Sequence, residues 1–180
     1  SVEKFLVARR FMYWQVYLHK TGVVAEQLLT QTLKRAKELV ERGEVLVCSE
    51  ALSYFLNSQI SNDNFDDEVL DIFSKLDDYD IISAMKNWQN HDDFVLSNLC
   101  EMIINRDLLK IKIKNKPSKK SDLQSHVDAL MTKYNITKEE AEYFVFSGEI
   151  TNIAYQQKKQ HINILLKSGK TKDIVKASDQ

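Results

Sequence analysis

The sequence predicts a mainly α-helical protein whose C-terminal part is a small α+β element. Three observations carry this. Four glycines and one proline in 180 residues leave few turn-formers, which favours long helices over hairpins. Apolar residues recur near a 3.6-residue period through the first forty positions, at Phe5, Met12, Val16, Val23, Leu28, Leu29, Leu33, Ala36, Leu39 and Val40. From Leu109 the pattern changes to a strict apolar–basic alternation, which is the period of a strand. The expected organisation is a helical region over residues 1–107 and an α+β part over 108–180.

Val2 to about Arg42 reads as one very long helix. Lys34, Arg35, Lys37 and Arg42 complement the dipole toward its C-terminal end, Gly43 is the expected left-handed residue after it, and Gly22 marks an expected bend. Ser49 caps a second helix to Asn57. Ser58–Asn64 is a polar loop. Asn64-Phe65-Asp66-Asp67-Glu68 opens a third helix, with acids where the dipole prefers them. Asp77-Asp78 opens a fourth, to Trp88, and Asp92 a fifth, to about Asn105. Leu109–Lys114 then reads as an edge strand with one wet, lysine-bearing face, protected by Pro117 beyond it. The six lysines between Lys110 and Lys120 suit a solvated edge, and phosphate contact is the alternative. Pro117–Ser121 reads as a linker, Asp122–Tyr134 as an amphipathic helix, and Thr137-Lys138-Glu139-Glu140 as a capping box. Phe144–Phe146 and His161–Lys167 read as strands, with a turn at Ser168-Gly169-Lys170.

Composition excludes several classes. Apolar content of 43% and charged content of 28% are those of a globular chain, not of a disordered tail. A net charge of −1 argues against nucleic acid and anionic membranes as partners. No run of 18 apolar residues could span a bilayer. Ser1-Val2-Glu3-Lys4 does not read as a signal peptide. Cys48 and Cys100 have no paired spacing and read as free thiols, so the expected location is the cytoplasm.

Chemistry concentrates in Ala8–Thr21. Helical steps of about 100° put Arg9, Tyr13, Tyr17 and Lys20 on one face. A guanidinium fork, two phenols and an ammonium suit a flat ring carrying phosphates. The same residues also suit a half-buried packing face with snorkelling cations. His91-Asp92 is the one His-Asp dipeptide, but Asn90-His91-Asp92-Asp93-Phe94 reads as a loop and helix cap. His19, His126 and His161 lie too far apart for a metal pair.

The string Arg9…Tyr13…Tyr17-Leu18-His19-Lys20 resembles the helix after the metal site in HD-domain phosphohydrolases of the deoxynucleoside triphosphate triphosphohydrolase (dGTPase-like) type. Two further blocks are similar: Leu76-Asp77-Asp78-Tyr79-Asp80-Ile81-Ile82, and Asn105-Arg106-Asp107-Leu108-Leu109-Lys110. The tail, Ile162–Lys167 followed by Ala177–Gln180, resembles the closing strands of that family. The resemblance implies hydrolysis of (deoxy)nucleoside triphosphates by a metal-dependent enzyme, with a divalent ion such as Mg, Mn or Fe held by a His, a His-Asp pair and an Asp upstream of this helix. The chain then corresponds to the C-terminal portion, without the HD motif, with no catalytic residue, no metal bound within it and no activity alone. By position, Arg9 matches a triphosphate-binding Arg and Tyr17 a pocket Tyr. Tyr13 stands where relatives have His. His19, Lys20 and Arg106 match residues that contact a regulatory nucleotide at a subunit interface, which implies a homo-oligomer. The alternative is a non-catalytic nucleotide-binding regulatory or oligomerisation module, which the long amphipathic first helix would also serve.

Overall fold

The computed structural model describes residues 2–17, 19–113, 118, 120–148 and 163–173. Among them the order is α1 (Val2–Met12), a π-helical turn (Tyr13–Tyr17), α2 (Lys20–Glu41), α3 (Glu50–Asn57), α4 (Asp67–Ser74), α5 (Asp78–Trp88), α6 (Phe94–Ile104), α7 (Lys120–Tyr134), α8 (Lys138–Glu142), β1 (Asn163–Leu165) and β2 (Thr171–Asp173). The protein is mainly helical with one two-stranded antiparallel sheet near the C-terminus, as the sequence predicts. The chain divides into two compact units: Ser1–His19 with Glu149–Gln180, and Lys20–Gly148.

The first unit holds α1, the π turn and the hairpin. The hairpin pairs Asn163 with Asp173 and Leu165 with Thr171. Its turn is closed by the Gly169 N–H donating to the Leu166 carbonyl at 2.9 Å, with Gly169 at φ +76°. The expected Val2–Arg42 helix is therefore not continuous. It passes into a π turn over Tyr13-Trp14-Gln15-Val16-Tyr17, and α2 starts at Lys20. Four of those five residues are aromatic or β-branched, the types that gain least from α-helical geometry. Gly22, the expected bend, lies inside α2.

In the second unit α2 is the spine. Leu28, Thr32, Arg35 and Leu39 recur on its buried stripe, and it packs on α6 and α3. One core cluster gathers Ala36, Leu39, Leu52, Met85, Trp88, Leu96 and Cys100. A second gathers Leu28, Val95, Leu99 and Tyr143, with Leu108, Leu109 and Phe144 packed on it. Local chemistry sets the helix ends, as expected at Ser49, Asp77 and Thr137, while Asp66, read as a first-turn acid, is the cap of α4. Ser49, Asp66, Asp77 and Thr137 accept from backbone N–H groups in the first turns of α3, α4, α5 and α8. Gly43, at φ +94°, closes α2 in a Schellman motif: its N–H donates to Val40 O and that of Glu44 to Leu39 O. Lys37 Nζ donates to the carbonyls of Phe55 and Ser58, holding the end of α3.

Three expectations change. Asp93, not Asp92, caps α6. Leu109–Ile113 forms no strand; among the described residues no strand pairs with it, and Leu108 and Leu109 pack on the second core cluster instead. Phe144–Phe146 is a turn and bend rather than a strand, because the Phe144 ring is drawn onto Phe94, with centroids 6.1 Å apart. Lys114–Pro117, Lys119, His161, Ile162 and Ala177–Gln180 lie outside the described residues.

Candidate functional site

The sequence-predicted residues separate between the two units. Arg9, in the last turn of α1, is half-buried, with its guanidinium carbon 5.7 Å from the centre of the half-buried Tyr13 ring. That is a cation–π contact, so Arg9 is held over an aromatic face with its fork available to an anion. Tyr17 closes the π turn, and its side chain lies outside the described residues. His19 follows, exposed. Lys20 begins α2 in the other unit. The expected single face of Arg9, Tyr13, Tyr17 and Lys20 rested on a continuous α-helix. Tyr13 and Tyr17 instead bound a π turn, whose hydrogen bonds span five residues, and Lys20 belongs to the other unit.

Lys20 and Arg106, 86 positions apart in sequence, come together. Both line an open hollow of about 360 Å³, with Thr21, Asp107, Leu109 and Ile111. The backbone of Arg106 explains how it gets there. Arg106 has φ +59°, the left-handed region that favours glycine. It occupies the position just past the end of α6, where its own N–H donates to Ile103 O at 3.2 Å and that of Asp107 to Met102 O at 2.9 Å. This is a second Schellman motif, with arginine where glycine is usual. The left-handed turn after α6 thus sets Arg106 on the wall of the hollow. Lys20 adds the first turn of a 22-residue helix that carries no acidic residue there, so the local dipole also favours an anion. Arg106→Gly is therefore expected to raise the stability of the chain by about 1 kcal/mol. Urea denaturation of both proteins checks this, and a loss of stability would show that Arg106 is held by contacts that outweigh the strain.

His91 is a structural residue. Its Nδ1 accepts from the Asp93 N–H at 3.0 Å, and Nε2 lies 3.3 Å from a Glu44 carboxylate oxygen. Asp93 carries the heaviest electrostatics in the second unit. Its carboxylate accepts from Nε of Arg35 at 3.0 Å and from a second guanidinium nitrogen, and it also caps α6 through the Leu96 N–H at 2.8 Å. Burial alone would push this carboxyl up, but the Arg35 hydrogen bonds and charge and the Leu96 N–H hold it below the ordinary 3.8. Arg35 is 6% exposed and lies 5.6 Å under the Tyr143 ring. Sequence reasoning missed this pair. The available signal was the spacing Leu28, Thr32, Arg35, Leu39, which sets an arginine on an apolar stripe. Both cysteines are free; burial pushes the Cys100 thiol up to about 12.

Among the described residues no three His, Cys, Asp or Glu converge where they could hold a metal ion. The described residues thus do not fit the divalent ion that the resemblance implies, and its ligands would have to come from elsewhere. No helix among the described residues is long and apolar enough to cross a membrane.

Comparison with known proteins adds the following. A phosphohydrolase from Bacteroides thetaiotaomicron, known from its crystal structure, is 42% identical to this chain and superposes with a TM-score of 0.89. The likeness covers 99% of this chain and 45% of that one. That likeness supports a phosphohydrolase family. Two curated relatives are themselves uncharacterised. YwfO of Bacillus subtilis is 26% identical across 99% of the chain, and the MG461 homolog of Mycoplasma pneumoniae is 30% identical across 76%. The chain spans 40% and 33% of their lengths, respectively. No family model matches the chain.

Proposed function

We propose that this chain is part of a metal-dependent HD-type phosphohydrolase acting on (deoxy)nucleoside triphosphates. The observation that carries the reading is the 42% identity to a phosphohydrolase across 99% of the chain. The reaction in view splits the bond between the nucleoside and its α-phosphate, with water supplying the new P–O bond, and releases nucleoside and triphosphate.

The contribution of the described residues is binding and orientation. Arg9, steadied over Tyr13, would grip phosphate oxygens through two parallel N–H bonds. Tyr13 and Tyr17 would border the sugar or base. Lys20 and Arg106 would hold the phosphates of a second, regulatory nucleotide in a homo-oligomer, a role the resemblance also implies for His19. A long-range grip of this kind lowers the barrier by fixing geometry, and losing one such donor typically costs about 10²-fold or more. The test is triphosphate release from a panel of dNTPs by the product of the whole reading frame. Arg9→Ala is expected to lower kcat/KM about 100-fold, while this chain alone stays silent. A whole protein inactive on dNTPs and on other phosphoesters would defeat the reading.

One observation favours a second reading for this chain taken alone, a non-catalytic nucleotide-binding module. The residues that line the hollow of Lys20 and Arg106 all belong to the second unit. Calorimetric titration of the 180-residue chain with GTP and dATP separates the cases. Binding that Arg106→Ala abolishes, with no hydrolysis by the whole protein, supports the module.

A further inference from the structure

Charge is distributed along this chain far more unevenly than its net −1 conveys. Residues 61–80 hold eight carboxylates against the single cation Lys75, a formal −7. Residues 110–120 hold six lysines and no acid, a formal +6. Both stretches belong to the second unit. Among the described residues no ion pair joins them, and the acidic stretch makes one, Asp71–Lys75 at 2.6 Å.

Each charged stretch also exposes apolar surface. On α4, Val69 is buried, while Leu70 and Phe73 are 50% and 54% exposed. They stand one turn apart; Asp67 lies one turn before Leu70 on the same outer face, and Asp71 lies one turn after Asp67, flanking it. The Phe73 ring meets Phe55 edge-on at 5.9 Å, and Phe55 meets Tyr54 at 5.3 Å, so the apolar strip runs on into α3. In the basic stretch, Leu108 and Leu109 are anchored on the core. Lys110 and Lys112 are exposed, and Ile113 is 48% exposed. The segment alternates apolar and basic without a strand partner. Acid beside Leu and Phe on one surface is therefore complementary in charge to lysine beside Ile on another.

We propose that the α4 face of one molecule binds residues 109–113 of a second copy of this chain. Ile113 covers Leu70 and Phe73, and Lys110 and Lys112 meet Asp67 and Asp71. The occupant is a second copy because this chain itself carries the complementary charge with apolar side chains at alternate positions. Two molecules can exchange the contact reciprocally about a two-fold axis, which closes the assembly and uses both surfaces twice. The proposal gives the homo-oligomer a specific surface, and it needs neither nucleotide nor catalysis.

The test is sedimentation velocity of the 180-residue chain. Self-association is expected at low ionic strength, weakening at least about tenfold at about 0.5 M salt, where charges are screened beyond roughly 4 Å. Asp67→Lys with Asp71→Lys makes one charge-reversed protein, and Lys110→Glu with Lys112→Glu makes the other. Each is expected to be monomeric alone, and their equimolar mixture to form a heterodimer, since the reversed face of one then matches the reversed segment of the other. Leu70→Ser leaves the caps and the charges intact and reads the same face independently; it is expected to weaken association about tenfold. A wild-type chain that stays monomeric at low salt, association that survives both reversals, or a mixture that stays monomeric would each overturn the proposal.

Discussion

Asp93→Ala is expected to remove about 4 kcal/mol of stability. Two separate losses add. The first leaves Arg35, 6% exposed, without its main counter-charge; the remaining carboxylate, on Glu38, lies 3.4 Å away and is itself part-exposed. Removing one partner of a buried pair typically costs about 3–5 kcal/mol, because the other charge stays buried. The second loss is the cap of α6, worth about 1 kcal/mol. Asp93→Asn separates the two, since asparagine keeps a capping oxygen and discards the charge. Arg35→Met combined with Asp93→Asn should recover much of the stability, because no unpaired charge remains. Urea denaturation of the four proteins measures each step. A cost under about 1 kcal/mol for Asp93→Ala would mean that water reaches Arg35 and the pair contributes little, as at an exposed site. The same pair sets a pH dependence. The carboxyl of Asp93 is lower in the folded chain than its ordinary 3.8, so the unfolded chain binds the proton more readily. The stability from the pair is therefore complete above the ordinary carboxylate range and is lost as pH falls below it. The acid limb of the denaturation midpoint should flatten in Asp93→Asn.

Trp88→Ala is expected to cost about 4 kcal/mol. Trp88 is 2% exposed at the end of α5, within the core cluster of α2, α3 and α6. Its Nε1 donates to Val47 O at 3.0 Å, which ties the segment between α2 and α3 to α5. The loss thus combines a large cavity with a broken tether. Trp88→Phe keeps most of the ring and loses the tether, so it should cost about 1–2 kcal/mol. Denaturant midpoints for both variants decide this. Equal costs would assign the effect to the hydrogen bond, and a small cost for alanine would mean that the cluster collapses around the gap.

Helix ends were legible from residue type because capping is local chemistry. Ser49, Asp66, Asp77 and Thr137 each meet N–H groups two or three residues away, and Gly43 enters the left-handed region without a Cβ penalty. Asp92 and Asp93 are chemically equal caps for α6. What selects Asp93 is Arg35, 58 positions away, which local reading cannot reach. The strand expected at 109–114 had the right alternation, but a strand exists only where another offers its N–H and C=O groups. The core claimed Leu108 and Leu109 instead. Arg106 was marked as a site residue through resemblance. Its left-handed backbone was not legible, since arginine at such a position runs against the preference for glycine.

Interactions within a few residues, namely caps, turns and the apolar period of α2, follow from the order of side chains, because both partners lie on one short stretch of chain. Interactions between distant stretches required the folded chain. The buried Arg35–Asp93 pair and the meeting of Lys20 with Arg106 at one hollow belong to this second kind. Their free energies depend on burial and on which surfaces pack, and those are properties of the whole core rather than of any segment.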